Sequence, residues 1–310
     1  MNTNGVPADK LHPIGTVVEE LRRTFPDVSH SSLRFLEREG LIQATRTPGG
    51  HRLYSEADID RIRQIKTWQA QRLSLEDVRH RLRQLDQLPD PAALAETFLR
   101  HAIAGERPAA VATVLDADDA GLPLAQLFGD VFQPALVELG SRWEHGKIFV
   151  AQEKEVSEIV RDLVAELTHR HASPYPDGPA IVAACVEGER HELGLRMVCG
   201  LLLQSGYPLH YLGADVAPRF LLESVRLHRP AVVLLSAKLA LNLPAVKDAI
   251  DVLAAGLPEQ AMPAVVVGGR AASEHADAIS GWGAAPVTGE RIDAVLEVVH
   301  HAIAKREGGH

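Results

Sequence analysis

Cysteine is scarce in this 310-residue chain: Cys185 and Cys199 are the only two. Two thiols are too few for a disulfide framework or a dedicated cysteine metal site. Long apolar runs are missing as well. None approaches the roughly 18 residues that a membrane span needs. The polar first ten residues lack the apolar core of a signal peptide, so a cytoplasmic protein with no membrane partner is expected. No internal repeat or long low-complexity tract is visible. Positive charge is in deficit, with 32 Lys and Arg against 41 Asp and Glu, a net of -9. Taken whole, that balance argues against a nucleic-acid binder, because binding phosphates favours a basic surface. What is present is an apolar fraction of 46% and a charged fraction of 24%. Those are ordinary values for a chain that buries a large core, and they exclude disorder throughout.

The charge is unevenly spread. Residues 1–88 hold 14 Lys and Arg against 12 Asp and Glu, a net of +2, and the remainder holds 18 against 29, a net of -11. Two functional halves are expected from that asymmetry alone. The prolines of Leu88-Pro-Asp-Pro91 break the chain once, and the turn formers of Ala172-Ser-Pro-Tyr-Pro-Asp-Gly-Pro179 break it again. The domains expected are therefore 1–88, 92–171 and 178–306.

In the first domain Ile14, Val17, Val18 and Leu21 recur at helical spacing. A second short helix covers 32–39 with Leu33 and Leu36 turned inward. Arg46-Thr-Pro-Gly-Gly-His-Arg-Leu-Tyr54 reads as two short strands around a tight turn, a β-wing. Ser55 with Asp58, and Ser74 with Asp77, are capping boxes for helices over 59–71 and 78–85. The middle domain carries four amphipathic helices, enough for a small bundle. The last alternates apolar runs (180–186, 209–212, 231–236, 264–267, 285–287) with helices (193–205, 219–227, 243–255, 273–280, 292–304). That pattern predicts a flavodoxin-like, five-stranded parallel sheet covered on both faces. The expected fold class is thus multidomain α and α/β. Ligands of such sheets sit beyond the C-terminal strand ends.

A helix, a turn, a second helix and an arginine-bearing wing suit DNA docking, with the second helix in the major groove and the wing along the backbone. Arg34, Arg46 and Arg52 supply phosphate-seeking charge and Tyr54 a phenolic donor. The stretch Ser32-Leu-Arg-Phe-Leu-Glu-Arg-Glu-Gly-Leu-Ile42, the wing and Ala57-Asp58-Ile59 together resemble the MerR family of winged helix-turn-helix regulators. The resemblance covers residues 12–85. It implies backbone contacts for Arg34, Arg52 and Tyr54, and groove-facing places for His30 and His51. The stretch from Arg22 to Val28 is longer than the family's usual tight turn.

The first strand of the last domain ends in Cys185-Val-Glu-Gly-Glu-Arg-His-Glu-Leu-Gly194. A histidine past a strand end is well placed to meet a ligand, and a carboxylate on its far nitrogen fixes the tautomer and raises its basicity. His191 and Glu189 are that pair. Gly194 permits close backbone approach. Ser236 ends the third strand, and Gly268-Gly269 end the fourth. No G-x-G-x-x-G follows the first strand, so the pyrophosphate cradle of a nicotinamide enzyme is missing. Glu-x-His-x-x-Gly, then Ser, then Gly-Gly resembles the cobalamin-binding domain of methionine-synthase type. The resemblance implies His191 as lower axial cobalt ligand and Glu189, more often Asp in that family, as its partner. Gly194, Ser236, Gly268 and Gly269 would then line the nucleotide-tail pocket. The segment from Phe132 through Trp143 to Glu153 resembles the helical cap preceding such domains, with Trp143 over the upper corrin face.

A MerR-type reader, a helical cap and a cobalamin domain in one chain resemble the CarH/LitR-type regulators. That resemblance implies an adenosylcobalamin-dependent repressor, not an enzyme, that is tetrameric on operator double-stranded DNA in the dark and falls apart in light. One position departs. The family has Trp, nine residues, then Glu-His, whereas Trp143 is followed by Glu153-Lys154. The residue after Trp143 is Glu144, which leaves His145 as the nearest candidate for the upper site after photolysis. A regulator that senses cobalamin or another ligand without light is the alternative. A corrinoid methyl carrier is a further one, disfavoured by the DNA reader and by the lack of a catalytic partner domain. The charge split then has a use: a reader with an excess of only two cations binds weakly and with strong salt dependence, so tight binding calls for several readers held together by the acidic halves.

Overall fold

A computed structural model describes residues 11–307, apart from residues 23, 48, 71, 86, 87, 290 and 293. The polar first ten residues, Arg23 of the long turn and Pro48 of the wing lie outside the described residues. The chain divides into two compact units, Met1–Leu88 and Pro89–His310. The second contains both the bundle and the sheet.

The first unit runs β1 (His12–Pro13), α1 (Ile14–Leu21), α2 (His30–Arg38), β2 (Thr45–Arg46), β3 (Arg52–Tyr54), α3 (Glu56–Ala70) and α4 (Leu75–Leu85). Val17, Val18 and Leu21 of α1, Leu33 and Leu36 of α2, and Ile59, Ile62 and Ile65 of α3 fill one core, as their helical spacing requires. The helix α2 starts two residues before the expected Ser32. Ser29 is its N-cap, and Ser29 and Ser32 exchange backbone-to-side-chain hydrogen bonds of 2.8 and 3.1 Å. The Ser55–Asp58 and Ser74–Asp77 boxes form as expected, and each helix begins directly after its serine. The strand β1 was not readable, because two residues have no period. It pairs antiparallel with β3, giving a three-stranded sheet in the order β1-β3-β2. The long turn after α1 is tied down by Arg22 Nε donating to the Val28 carbonyl at 2.8 Å and by Lys66 Nζ on Asp27 at 2.5 Å.

In the second unit, α5 (Pro91–Ile103), α6 (Arg107–Asp119), a helix made of α7 (Leu124–Gln126), a π-turn (Leu127–Phe132) and α8 (Gln133–Glu144), and α9 (Val150–His171) form the bundle. Phe132 packs its ring against Phe98 and Phe128, with centroids 5.5 and 6.1 Å apart. The sheet follows: β4 (Ile181–Cys185), α10 (Leu193–Gln204), β5 (Leu209–Tyr211), α11 (Pro218–His228), β6 (Val232–Ser236), α12 (Leu243–Gly256), β7 (Ala264–Gly268), α13 (Arg270–Glu274), α14 (Ala276–Gly281), β8 (Ala285–Pro286) and α15 (Ala294–Glu307). All five strands are parallel, in the order β5-β4-β6-β7-β8. The single helix expected over 273–280 is two short ones, broken at His275, whose ψ of 35° leaves the helical well. Strand order reverses between β4 and β6, and in open parallel sheets ligands bind at such a reversal, beyond the carboxyl ends. Bundle and sheet meet closely. A Cβ on Gly200 of α10 would stand 2.5 Å from Thr168 Oγ1 of α9 and 2.9 Å from the Phe128 ring.

Candidate functional sites

Register places Cys185 beside Ser236, and Ser236 beside Gly268, so three strand ends line one edge. Past β4 the chain turns at Gly188 (φ 81°), whose N–H donates to Asp215 Oδ1 at 2.7 Å. The next residue, Glu189, is fully buried. Its Oε1 accepts from the His191 backbone N–H at 2.8 Å and meets His191 Nδ1 at 2.6 Å. Its Oε2 accepts from the N–H groups of Lys238 (2.7 Å) and Leu239 (3.3 Å) and from Asn242 Nδ2 (2.9 Å). Burial alone would raise its pKa, but the hydrogen bonds from His191, Lys238 and Asn242 bring it down to about 2. An ionised carboxylate at Nδ1 favours a proton there, and in that tautomer of the imidazole the lone pair lies on Nε2. The ring is half-exposed, at 48%.

Gly194 lies in the first turn of α10, and a Cβ added there meets nothing within 4 Å. Gly269 is different: φ is 102°, and a Cβ would lie 2.3 Å from the Ala237 carbonyl oxygen. Ser236 and Gly268 are buried at their strand ends. The Ser236 hydroxyl hydrogen-bonds the Cys185 thiol, whose pKa burial pushes up to about 12. Beside this edge, Glu192 accepts from Tyr211 Oη at 2.7 Å and from Arg161 Nε of α9 at 3.1 Å. The residue after His191 is therefore tied to the bundle.

Trp143 (48% exposed) and His145 end α8, and Glu153 and Lys154 open α9, so these four share one end of the bundle. His145 Nδ1 is 2.7 Å from the Ser141 carbonyl. Lys154 is 74% exposed with Nζ 3.3 Å from Glu153 Oε2, and Glu153 Oε1 accepts from Ser157. Glu153 precedes Arg161 by eight residues, about 12 Å along α9 at 1.5 Å per residue. Among the described residues no hydrogen bond joins this group to His191.

In the first unit His30 opens α2 and Arg34 follows one turn later, both exposed. Arg46 and Arg52 face each other across β2 and β3 and converge on Glu37 of α2, at 3.0 and 2.5 Å. His51 folds over Gly49 in the wing turn, which Thr47 closes by accepting from His51 N–H at 3.1 Å. Tyr54 is a correction. Expected as a surface phosphate donor, it is wholly buried, and its hydroxyl has no partner among the described residues. The unforeseen β1 pairs at Tyr54 and closes the core over it.

Sequence reasoning missed Asn242, Glu192, Arg161 and Glu37. Asn242 ends a single 3-10 turn (Ala240–Asn242) between β6 and α12, with no motif around it. Arg161 and Glu192 are 31 residues apart, and Glu37 and Arg52 are 15 apart, so no local spacing announces either pair.

Three family matches cover most of the chain. "MerR HTH family regulatory protein" matches residues 18–85. "B12 binding domain" matches residues 179–299, and a second family of the same description matches 94–168. The HTH-type transcriptional repressor CarH of Myxococcus xanthus is 32% identical over 253 residues, 77% of this chain and 83% of that protein. The HTH-type transcriptional repressor CarA of the same organism is 29% identical over 264 residues, 83% of this chain and 88% of that protein. Among solved structures, the Methanosarcina barkeri monomethylamine corrinoid protein superposes with a TM-score of 0.59 at 19% identity, over 69% of this chain and 98% of that one. That last likeness concerns the fold.

Proposed function

Because the chain belongs to the MerR-type transcriptional repressors that carry B12-binding domains, the family of CarH and CarA, we propose that it is a cytoplasmic light sensor using adenosylcobalamin. In this reading the cofactor and light set oligomeric state, and oligomeric state sets affinity for operator DNA. Residues 1–88 read DNA; residues 92–171 and 178–306 hold the cofactor between them.

The observation that carries the cofactor reading is the His191–Glu189 pair. A cobalt ligand needs a neutral imidazole with one nitrogen free and its orientation held. Nδ1 is held at 2.6 Å by a buried carboxylate, itself fixed by Lys238, Leu239 and Asn242. Such a carboxylate raises ligand basicity and locks the ring. The open space at Gly194 suits a bulky planar group. His191 would hold cobalt, and Gly194, Ser236, Gly268 and Gly269 would border the nucleotide tail. Trp143, His145, Glu153 and Lys154 would meet the cofactor from the bundle. Bound, the cofactor supplies a cobalt–carbon bond that light can break. The chain supplies a tie from the His191 loop to α9, through Glu192 and Arg161, along which a change at the site can bias the bundle. His30, Arg34, Arg46, His51 and Arg52 would meet the duplex.

The test is an absorption spectrum with size-exclusion chromatography, dark against lit, on the adenosylcobalamin-loaded protein. A larger species in the dark than after green light is expected. His191→Ala is expected to change the spectrum, and an unchanged one would remove the ligation. Gel-shift binding to its own promoter separates a regulator from a methyl carrier. Sensing of cobalamin without light has one observation in its favour: Lys154 stands where a histidine is usual, and its charge is already turned to Glu153 at 3.3 Å. An unchanged elution volume after full photolysis selects that second reading.

A further inference from the structure

The DNA-reading unit carries a carboxylate where a phosphate reader needs cations. Glu37 stands on α2, one turn past Arg34. Its Oε1 accepts from Arg46 Nη2 at 3.0 Å, and its Oε2 accepts from Arg52 Nε at 2.5 Å. The two arginines are register partners on β2 and β3, so two guanidinium groups from neighbouring strands close on one anion. The carboxyl pKa lies below its ordinary range, chiefly through the hydrogen bond from Arg52. Arg46 remains 55% exposed and Arg52 24%, which leaves both within reach of an incoming group. Two oxygens of one negative charge gripped by two guanidinium groups is also how arginines hold a backbone phosphate. The charge count gives the arrangement weight. Residues 1–88 have a net excess of only two cations, and here a single carboxylate engages two.

We propose that Glu37 is an internal phosphate mimic, which competes with the DNA backbone for Arg46 and Arg52 and so lowers indiscriminate binding by the wing. The inference rests on reading the first unit as a DNA binder. A wing that meets backbone at an arbitrary sequence must give up an ion pair already made. Only a site that also satisfies α2 in the groove repays that exchange. Glu37 is thus a specificity-determining residue that acts through the two arginines.

Glu37→Gln tests this, because it keeps size and hydrogen bonding and removes the charge. The side chain lies outside the apolar core, and a thermal melt checks that the unit still folds. The probe is a labelled random-sequence duplex, titrated by fluorescence anisotropy with the full chain at salt from about 50 to 200 mM. Tighter binding of Glu37→Gln by several-fold is expected at low salt. The plot of log affinity against log salt should steepen by roughly one unit, because one negative charge leaves the phosphate-facing surface. Glu37→Ala also removes the charge and should steepen the plot equally. A carboxylate that only braces the wing gives the opposite result in both variants: weaker binding with an unchanged or shallower slope, which overturns the proposal. A wild-type chain that fails to bind the duplex at any salt overturns instead the reading of the first unit as a DNA binder.

Discussion

Two glycines at the strand edge behave oppositely at the residue scale. Gly269 combines a left-handed φ of 102° with a carbonyl oxygen 2.3 Å from where a Cβ would stand. Gly269→Ala should cost about 1–3 kcal/mol of stability through backbone strain, read by urea denaturation. Gly194→Ala meets open space inside a helix and should leave stability unchanged or raise it by up to about 1 kcal/mol. Its cost should fall on cobalamin retention after gel filtration, if a planar group docks there. Glu189 adds a pH dependence. Its folded pKa is about 2 against an ordinary 4.5. A depressed value means stability that is full above the unfolded pKa and is lost as pH falls toward the folded one. The difference corresponds to up to about 3 kcal/mol. Glu189→Gln should therefore be less stable than the wild type near neutral pH, with the gap narrowing below about pH 4.5. Much of this site was legible in the sequence. Glu189 and His191 sit two residues apart past a strand, a spacing that brings carboxylate and ring together locally. The donors that hold the other carboxylate oxygen were not legible, since Asn242 is 53 residues away in a single 3-10 turn too short to show a period.

At the scale of elements, apolar spacing and serine caps set where helices lie, and the departures have local causes. The helix α2 starts early because Ser29 caps it, and Tyr54 is buried because β1 adds to β3. The contact between α9 and α10 depends on one missing side chain. Gly200→Val would drive methyl groups into Thr168 and Phe128, which already lie within 3 Å of the Cβ position. A loss of about 1–3 kcal/mol is expected from overpacking, measured by chemical denaturation, along with weaker coupling of α9 to the sheet. The π-turn that carries Phe128 to this contact is a departure from the plain helix that the pattern of Phe128, Phe132 and Leu136 suggests.

For the molecule as a whole, the acidic balance does not exclude DNA binding; it averages a nearly neutral first unit with an acidic second one. Because the reader's own excess is small, several copies acting together should bind far better than one. Gel-shift curves with the chain's own promoter should accordingly be steeper in protein concentration for the cofactor-loaded dark form than for the cofactor-free one. Curves of equal steepness would separate cofactor binding from assembly.

Features set by neighbours along the chain were decided by the sequence alone. The apolar periods, proline breaks, capping boxes, strand–helix alternation and the Glu-x-His-x-x-Gly run all act through covalent spacing and local propensity. Features that depend on which distant residues meet were decided only by tertiary structure. Pairing of β1 with β3 buried Tyr54, and convergence of β2 and β3 on α2 turned Arg46 and Arg52 toward Glu37. Packing of α9 on α10 brought Arg161 to Glu192. A side chain's charge and hydrogen-bonding capacity are fixed by its type, but its partner is whichever group packing delivers, and packing is a property of the whole fold.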